Sequence, residues 1–277
     1  MAISFLKINV PDLPPPVAKI QTERFYLDKI SESSESLPYI FIDFLWVESI
    51  ISLGLQRTQN IIDSLYSEYS HLFDKFCFIN QHISAEKLDW KSGIVFSCHA
   101  NESNGFLSIP HKPQVYCSES SRDKKYFGSF VGSFETHYTR QILSNLVFEK
   151  EVLVTNTGGW HFYDRSLDRE DNYRKVLSES VFSFCPRGTG HGTIRLFEAF
   201  KSGTIPVIIS DGYKLPPGVK DGKNCILVKE KDTLKIPKIL SRLDAETVKE
   251  MLENVKDYSR KYLCFDNFEI SVLEQIS

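Results

Sequence analysis

The 277-residue chain lacks a C-x-x-C pair, a surplus of basic residues, histidines four apart and any window of about 18 uninterrupted apolar residues. Each absence removes a class of protein. The six cysteines, Cys77, Cys98, Cys117, Cys185, Cys225 and Cys264, are scattered, and some sit in apolar runs such as Phe76-Cys77-Phe78. That is the pattern of buried free thiols in a reducing compartment, not of a disulfide framework. With 33 Lys and Arg against 36 Asp and Glu, the net charge is −3. No global positive field favours DNA or RNA, so nucleic acid is excluded as the main partner and an anionic ligand must be met by a local cluster of Arg and Lys. His71, His82, His99, His111, His137, His161 and His191 form no i,i+4 pair, and no metal site is expected. Met1 to Val10 carries no basic region followed by an apolar stretch and a cleavage site, so the expected location is cytoplasmic.

What is present is the composition of an ordinary folded protein: 42% apolar and 25% charged residues, in a length that fits two lobes, each with its own core. After a Pro-rich stretch, Pro11 to Pro16, the first half shows three strand-like runs, 39–43, 75–79 and 93–97. Between the first two, Val47, Ile50, Ile51, Leu55, Ile61, Ile62 and Leu65 recur at helical spacing over 46–69. Strand, helix, strand predicts an α/β lobe with a parallel sheet. The polar segment 101–122, punctuated by Gly105, Pro110 and Pro113, marks the boundary, giving lobes 1–120 and 121–277. The second half then reads strand 126–133, helix 136–146, strand 151–155, helix 170–177, strand 181–185, helix 193–201, strand 205–209, strand 225–228 and a final helical region beyond Asp244. This is the alternation of a doubly wound sheet. Val248, Met251, Leu252 and Val255 give that last helix one apolar stripe, by which it closes onto the body.

The chemistry concentrates in residues 181–211. A buried strand ends at Pro186, Gly188, Gly190 and Gly192 free the backbone to approach a ligand, and a helix begins near Thr193. Free N–H groups and the positive helix end suit a diphosphate, and Arg187 and Arg195 can add charge-assisted contacts to its oxygens. On the helix, Arg195 and Glu198 stand three apart on one narrow polar face. Glu198 is either a carboxylate that accepts ribose hydroxyls or one half of an ordinary Arg–Glu pair. His191 either donates to phosphate or occupies a turn. Asp211 either contacts a donor sugar or starts the Asp-Gly turn. Trp160 and His161, after Gly158-Gly159, either floor a sugar site or pack in the core. A G-x-G-x-x-G fingerprint would need glycine at Thr193 or Arg195, and a phosphate loop ending in Gly-Lys-Ser/Thr is absent, which weakens dehydrogenase and ATPase readings.

These residues resemble the exostosin family of glycosyltransferases. The similarity runs from Tyr173 through Ser-x-Phe-x-Phe-Cys-Pro-Arg-Gly (180–188), Arg-Leu-x-Glu-Ala (195–199) and Gly-x-Ile-Pro-Val-Ile-Ile-Ser-Asp-Gly (203–212) to Leu215-Pro216. Upstream, Tyr126-Phe-Gly-Ser-Phe-Val-Gly-Ser-Phe with Arg140 resembles the family's first donor-lobe strand, its Gly-rich turn and the Arg that follows. The resemblance implies a GT-B fold, two Rossmann-like lobes with parallel sheets facing a central cleft: an acceptor lobe (1–120) and a nucleotide-sugar lobe (121–277). It further implies inverting transfer from a nucleoside-diphosphate sugar, usually a UDP-sugar, to a glycan or lipid-linked oligosaccharide, with no tightly held cofactor or metal. A bacterial-type cytoplasmic enzyme of surface-polysaccharide synthesis, in transient contact with a membrane surface, is the expected setting. The donor site would comprise Arg140, Arg187, Gly188, Gly190, His191, Arg195, Glu198 and Asp211. The base that deprotonates the acceptor would come from Asp43, His99 or Glu102, at strand ends of the first lobe. Two alternatives stand beside this: a fucosyltransferase-like GT-B enzyme using a GDP-sugar, suggested by Glu-Ala-x-x-x-Gly-Thr-x-Pro-Val (198–207), and a non-catalytic lobe pair that binds a glycan or a protein partner.

Overall fold

The computed structural model describes residues 4–8, 10, 22–33, 38–117, 124–158 and 167–276. The Pro11–Pro16 stretch and the Trp160-His161 pair lie outside them. The first half comprises β1 (Ser4–Lys7), α1 (Thr22–Glu32), β2 (Ile40–Asp43), α2 (Trp46–Tyr69), β3 (Phe76–Asn80), β4 (Ile94–Ser97) and β5 (Leu107–Ser108). These five strands pair in parallel, in the order β1-β2-β3-β4-β5. The period of two along a strand sends alternate residues to opposite faces. Phe41, Cys77, Ile79 and Phe96 join Tyr26, Leu27 and Ile30 of α1 in one core. Ile42, Phe76, Phe78 and Val95 join Ile50, Ile62 and Leu65 of α2 in another. Helix α2 is broken at Gly54, whose φ of 81° and ψ of 167° are not helical; only glycine takes that geometry without strain.

The second half comprises β6 (Tyr126–Gly132), α3 (Tyr138–Ile142), β7 (Val152–Asn156), α4 (Leu167–Ser178), β8 (Ser180–Pro186), α5 (Ile194–Lys201), β9 (Ile205–Ile209), β10 (Ile226–Val228), α6 (Ile236–Leu240), α7 (Ala245–Tyr262) and α8 (Ile270–Leu273). Its parallel sheet has the order β10-β9-β8-β6-β7. The chain therefore leaves β6 toward one edge and returns on the other side, reversing direction between β6 and β8. In an open α/β sheet the crevice at such a reversal is where ligands bind. The helix expected over 136–146 is shorter, because His137 caps α3 through its Nδ1 and 143–145 form a tighter 3₁₀ turn.

The two halves share one core. The segment after α7 returns to the first half, where Phe268 packs on Tyr26 with ring centroids 4.8 Å apart. Tyr26 Oη and Ser271 Oγ are 2.9 Å apart, and Gln275 Nε2 donates to the Ser108 carbonyl at 3.0 Å. Met251 and Val255 of the anticipated closing stripe are buried, with Tyr258 and Tyr262 extending it. Two parallel sheets, each faced by helices, make up the mixed α/β architecture that the exostosin resemblance implies.

Candidate functional site

The reversal between β6 and β8 collects three cationic side chains from three segments. β8 ends at Pro186, residues 187–193 form the glycine loop, and α5 opens at Ile194. The N-cap residue Thr193 makes no side-chain capping bond, so although the Leu196 N–H donates to the Thr193 carbonyl at 3.2 Å, the Ile194 and Arg195 amides have no side-chain acceptor from the cap and can meet an anion. Arg195 lies over the Phe130 ring at 4.4 Å and near Tyr173 at 5.2 Å, centroid to guanidinium carbon. Its Nε is buried with no hydrogen-bond partner. Arg140 anchors the strand ends, with Nε donating to the Arg187 carbonyl at 2.9 Å and Nη1 to the Ser133 carbonyl at 3.1 Å. Burial lowers its pKa to about 10, and the neighbouring Arg195 charge pushes in the same direction. No ion pair relieves either guanidinium among the described residues. The Thr136 hydroxyl, also buried and unpartnered, lies beside Gly188, where an added Cβ would come 3.2 Å from Arg140 Nη2 and 3.5 Å from Thr136 Oγ1. The buried Arg195 Nε and Thr136 hydroxyl without partners, together with Arg140 and the start of α5, form a cationic cluster of the kind that an anion satisfies.

Arg187 behaves differently. Its Nε and Nη2 turn back onto the loop's own carbonyls, Gly188 at 3.3 Å and Thr189 at 3.1 Å, and its Nη1 lies 3.5 Å from Glu230 Oε1. It shapes the loop. His191 Nδ1 lies 2.9 Å from the Asp211 carbonyl and 3.3 Å from Arg187 Nη1, and Ser210 Oγ donates to the His191 carbonyl at 3.0 Å. The loop is thereby tied to the end of β9. Asp211 is exposed, its Oδ1 accepting the Glu230 N–H at 3.0 Å.

Glu198 is 4% exposed. Its Oε1 accepts from the Val115 N–H at 3.0 Å and its Oε2 from the Tyr173 hydroxyl at 2.8 Å, and burial raises its pKa. It fastens the segment joining the lobes to α5, and Tyr173 links it to Arg195.

Of the three glycines expected to face a ligand, only Gly188 lies against the cationic cluster, beside Arg140 and Thr136. A Cβ on Gly190 would fall 2.5 Å from His99 Nδ1 and one on Gly192 would fall 2.0 Å from the Cys98 carbonyl oxygen. These two glycines let the loop press against the first lobe. The seam continues where Glu102 N–H donates to the Gly212 carbonyl at 3.0 Å and Lys214 N–H to the Ala100 carbonyl at 3.1 Å. His99 sits beneath it, 4.9 Å from the His111 ring, centroid to centroid. Burial holds its pKa well below the usual histidine range and lowers His111 to about 4, so both rings are neutral at pH 7. Glu102 is exposed at the same seam. Asp43 stands apart from it, ion-paired with Arg24 of α1 at 2.8 Å.

Sequence reasoning missed Glu230, His137 and Thr136. Glu230 opens a 3₁₀ turn just after β10, inside the run Lys229-Glu-Lys-Asp, which reads as a solvated charge cluster. The usable signal was position, since it follows a buried strand on the side where strand ends gather ligands.

Residues 80–243, more than half of the chain, match the Exostosin GT47 domain. The exostosin-1 homolog of Caenorhabditis elegans is 29% identical over 211 residues, covering 64% of this chain and 55% of the relative. Ribitol-5-phosphate xylosyltransferase 1 of Danio rerio is 26% identical over 163 residues, covering 54% of this chain and 37% of the relative. The chain thus spans about half or less of the length of these curated relatives. Among solved structures, the apo lipopolysaccharide outer core galactosyltransferase WaaB aligns with a TM-score of 0.51 and 15% identity, over 99% of this chain and 100% of that one. At that identity the fold is what is shared.

Proposed function

The chain belongs to the exostosin GT47 family, and from that premise we propose that it is an inverting glycosyltransferase that takes a sugar from a UDP-sugar and delivers it to a glycan hydroxyl. The lobe 121–277 holds the donor and the lobe 1–120 the acceptor. The observation that carries this reading is the cationic cluster at the β6–β8 reversal, where Arg195 Nε and Thr136 Oγ1 are buried without partners and the N-cap residue of α5 makes no side-chain capping bond.

In this reading the α5 amides and Arg195 bind the diphosphate and stabilise the negative charge that grows on it as the glycosidic bond breaks. Arg140 fixes the ends of β6 and β8 and adds its charge. Arg187 and His191 hold the loop against β9. Inversion requires a base on the face opposite the leaving group. Of the three candidates Glu102 fits best, being exposed at the seam with its main chain bonded to Gly212. His99 is half-buried, with its Nδ1 covered beside Gly190, and Asp43 is held by Arg24. The acceptor is a glycan or lipid-linked oligosaccharide, and the setting is cytoplasmic assembly of a surface polysaccharide. The six free thiols support a reducing compartment.

Isothermal titration of UDP, GDP and CMP into the wild type and Arg195→Ala tests the reading. We expect UDP to bind in preference to the other two, and the variant to lose it. Wild-type protein that binds no nucleotide at millimolar concentration would overturn the assignment, and preference for GDP would move the donor to a GDP-sugar.

A further inference from the structure

Glu230 is 8% exposed, and four polar groups meet its carboxylate. Oε1 accepts the Asp211 N–H at 3.0 Å and lies 3.5 Å from Arg187 Nη1. Oε2 accepts the Tyr138 hydroxyl at 3.2 Å and lies 3.6 Å from His137 Nε2. In return its own N–H donates to Asp211 Oδ1. This reciprocal pair staples the end of β9 to the end of β10, and through Arg187 it reaches the glycine loop. The four residues around this one carboxylate therefore come from the carboxyl ends of two strands, Arg187 after β8 and Asp211 after β9, and from the start of α3, His137 and Tyr138.

The consequence is a charge ledger. Arg187 has its counter-ion in Glu230, whereas Arg140 and Arg195 make no ion pair among the described residues, the Glu198 carboxyl near Arg195 being bound to Val115 and Tyr173, so these two are left to meet a diphosphate. Asp211 is exposed and enters no ion pair among the described residues. The rim next to the loop thus carries an uncompensated carboxylate, with the Glu230 carboxylate behind it. His137 supplies no fixed countercharge, because burial lowers its pKa, with Glu230 opposing. Since His191 bonds to the Asp211 carbonyl, the rim and the phosphate loop are direct neighbours, and a sugar carried on a diphosphate seated in that loop lies against the rim.

We propose that Glu230 and Asp211 determine which class of donor sugar is accepted, selecting a neutral, hydroxyl-rich sugar over a uronic acid. Hydroxyl groups donate to an exposed carboxylate, while a second carboxylate brought to the same place is repelled and must give up its hydration as well. Glu230 acts as a positioning residue: it orients Asp211 and removes Arg187 as a free cation that could otherwise receive a uronate. The inference rests on the donor-lobe reading given above.

The test is titration of UDP, UDP-glucose and UDP-glucuronate into the wild type, Asp211→Asn and Glu230→Gln, each UDP-sugar affinity being divided by the UDP affinity of the same protein. On that ratio the wild type should favour UDP-glucose by about tenfold or more. Asp211→Asn should shrink the preference to within about threefold. Glu230→Gln, which frees Arg187 while keeping an amide oxygen for the Asp211 N–H, should shrink it as well. If the wild type binds both sugars equally or prefers the glucuronate, or if Asp211→Asn leaves the preference intact, the proposal is wrong while the donor lobe stands. Absence of UDP binding removes the donor lobe and this proposal with it.

Discussion

The carboxyl ends of the two parallel sheets use similar residue types to opposite ends. In the first sheet the strands follow sequence order, and two of the carboxyls near its strand ends are held by partners within the lobe. Asp43 is paired with Arg24, and Glu23 is fully buried, accepting the Val47 and Gln81 N–H groups. In the second sheet the order reverses between β6 and β8, and there Arg140 and Arg195 make no ion pair among the described residues, the nearby Glu198 carboxyl being taken up by Val115 and Tyr173. In the proposed reading the anion site is a product of topology: elements diverging from neighbouring strands open a crevice for a ligand, whereas elements following one another in order pack on each other.

The comparison breaks most sharply if the unpaired cations do not matter. Arg195→Ala should weaken UDP by at least about 100-fold, the scale of a charge-assisted contact in a desolvated site. Asp43→Asn, at a carboxyl already paired with Arg24, should change UDP affinity by less than about twofold. Equal losses in the two variants, read by calorimetry, would erase the distinction.

The seam between the lobes comes next. Gly192→Ala puts a Cβ against the Cys98 carbonyl oxygen, a backbone atom that cannot swing aside, and should cost about 1–3 kcal/mol of unfolding free energy. Gly212 has a φ of +68° with nothing within 4 Å of an added Cβ, so Gly212→Ala should cost only about 1 kcal/mol, from the left-handed backbone alone. Urea denaturation measures both. A larger loss at Gly212 would show that the loop does not press on the first lobe.

A smaller, graded effect concerns pH. Burial pushes the Glu23 carboxyl up to about 8. A raised folded-state pKa means the folded protein binds the extra proton, so this stability is present below the ordinary carboxylate pKa and is lost as pH rises toward 8. His111, lowered to about 4 by burial, has the opposite sign: its contribution is present above the ordinary histidine pKa and is lost as pH falls toward 4. Between the two ordinary values the effects oppose. From about pH 6.5 to 8 Glu23 acts without that opposition, and unfolding free energy should fall by up to about 1.4 kcal/mol per pH unit. Glu23→Gln should flatten that limb, and an unchanged slope would place the titration elsewhere.

Much of this was legible in the sequence where one physical rule dominates. Helix α2 stands out because its apolar positions keep the helical period, and β9 because Ile205–Ile209 is apolar without interruption. Helix α1 was not seen, since Glu23 and Lys29 are buried along with Tyr26, Leu27 and Ile30 and so break the apolar stripe. Strand β5 is two residues long, too short to carry a pattern. At the site, the glycine loop and Arg195 were visible as a local motif. The roles of Gly190 and Gly192 were not, because the atoms they must avoid, in His99 and Cys98, lie about 90 positions away in the chain. Glu230 was hidden for the same reason, its partners Arg187 and Tyr138 being 43 and 92 residues distant.

The most direct test of the central claim is hydrogen exchange of the whole chain with and without UDP. The account predicts that UDP slows exchange at the amides from Gly188 to Leu196, where the loop meets α5, and leaves those following β2 and β3 unchanged. Protection confined to the ends of β2 and β3, with Gly188 to Leu196 unaffected, would contradict it.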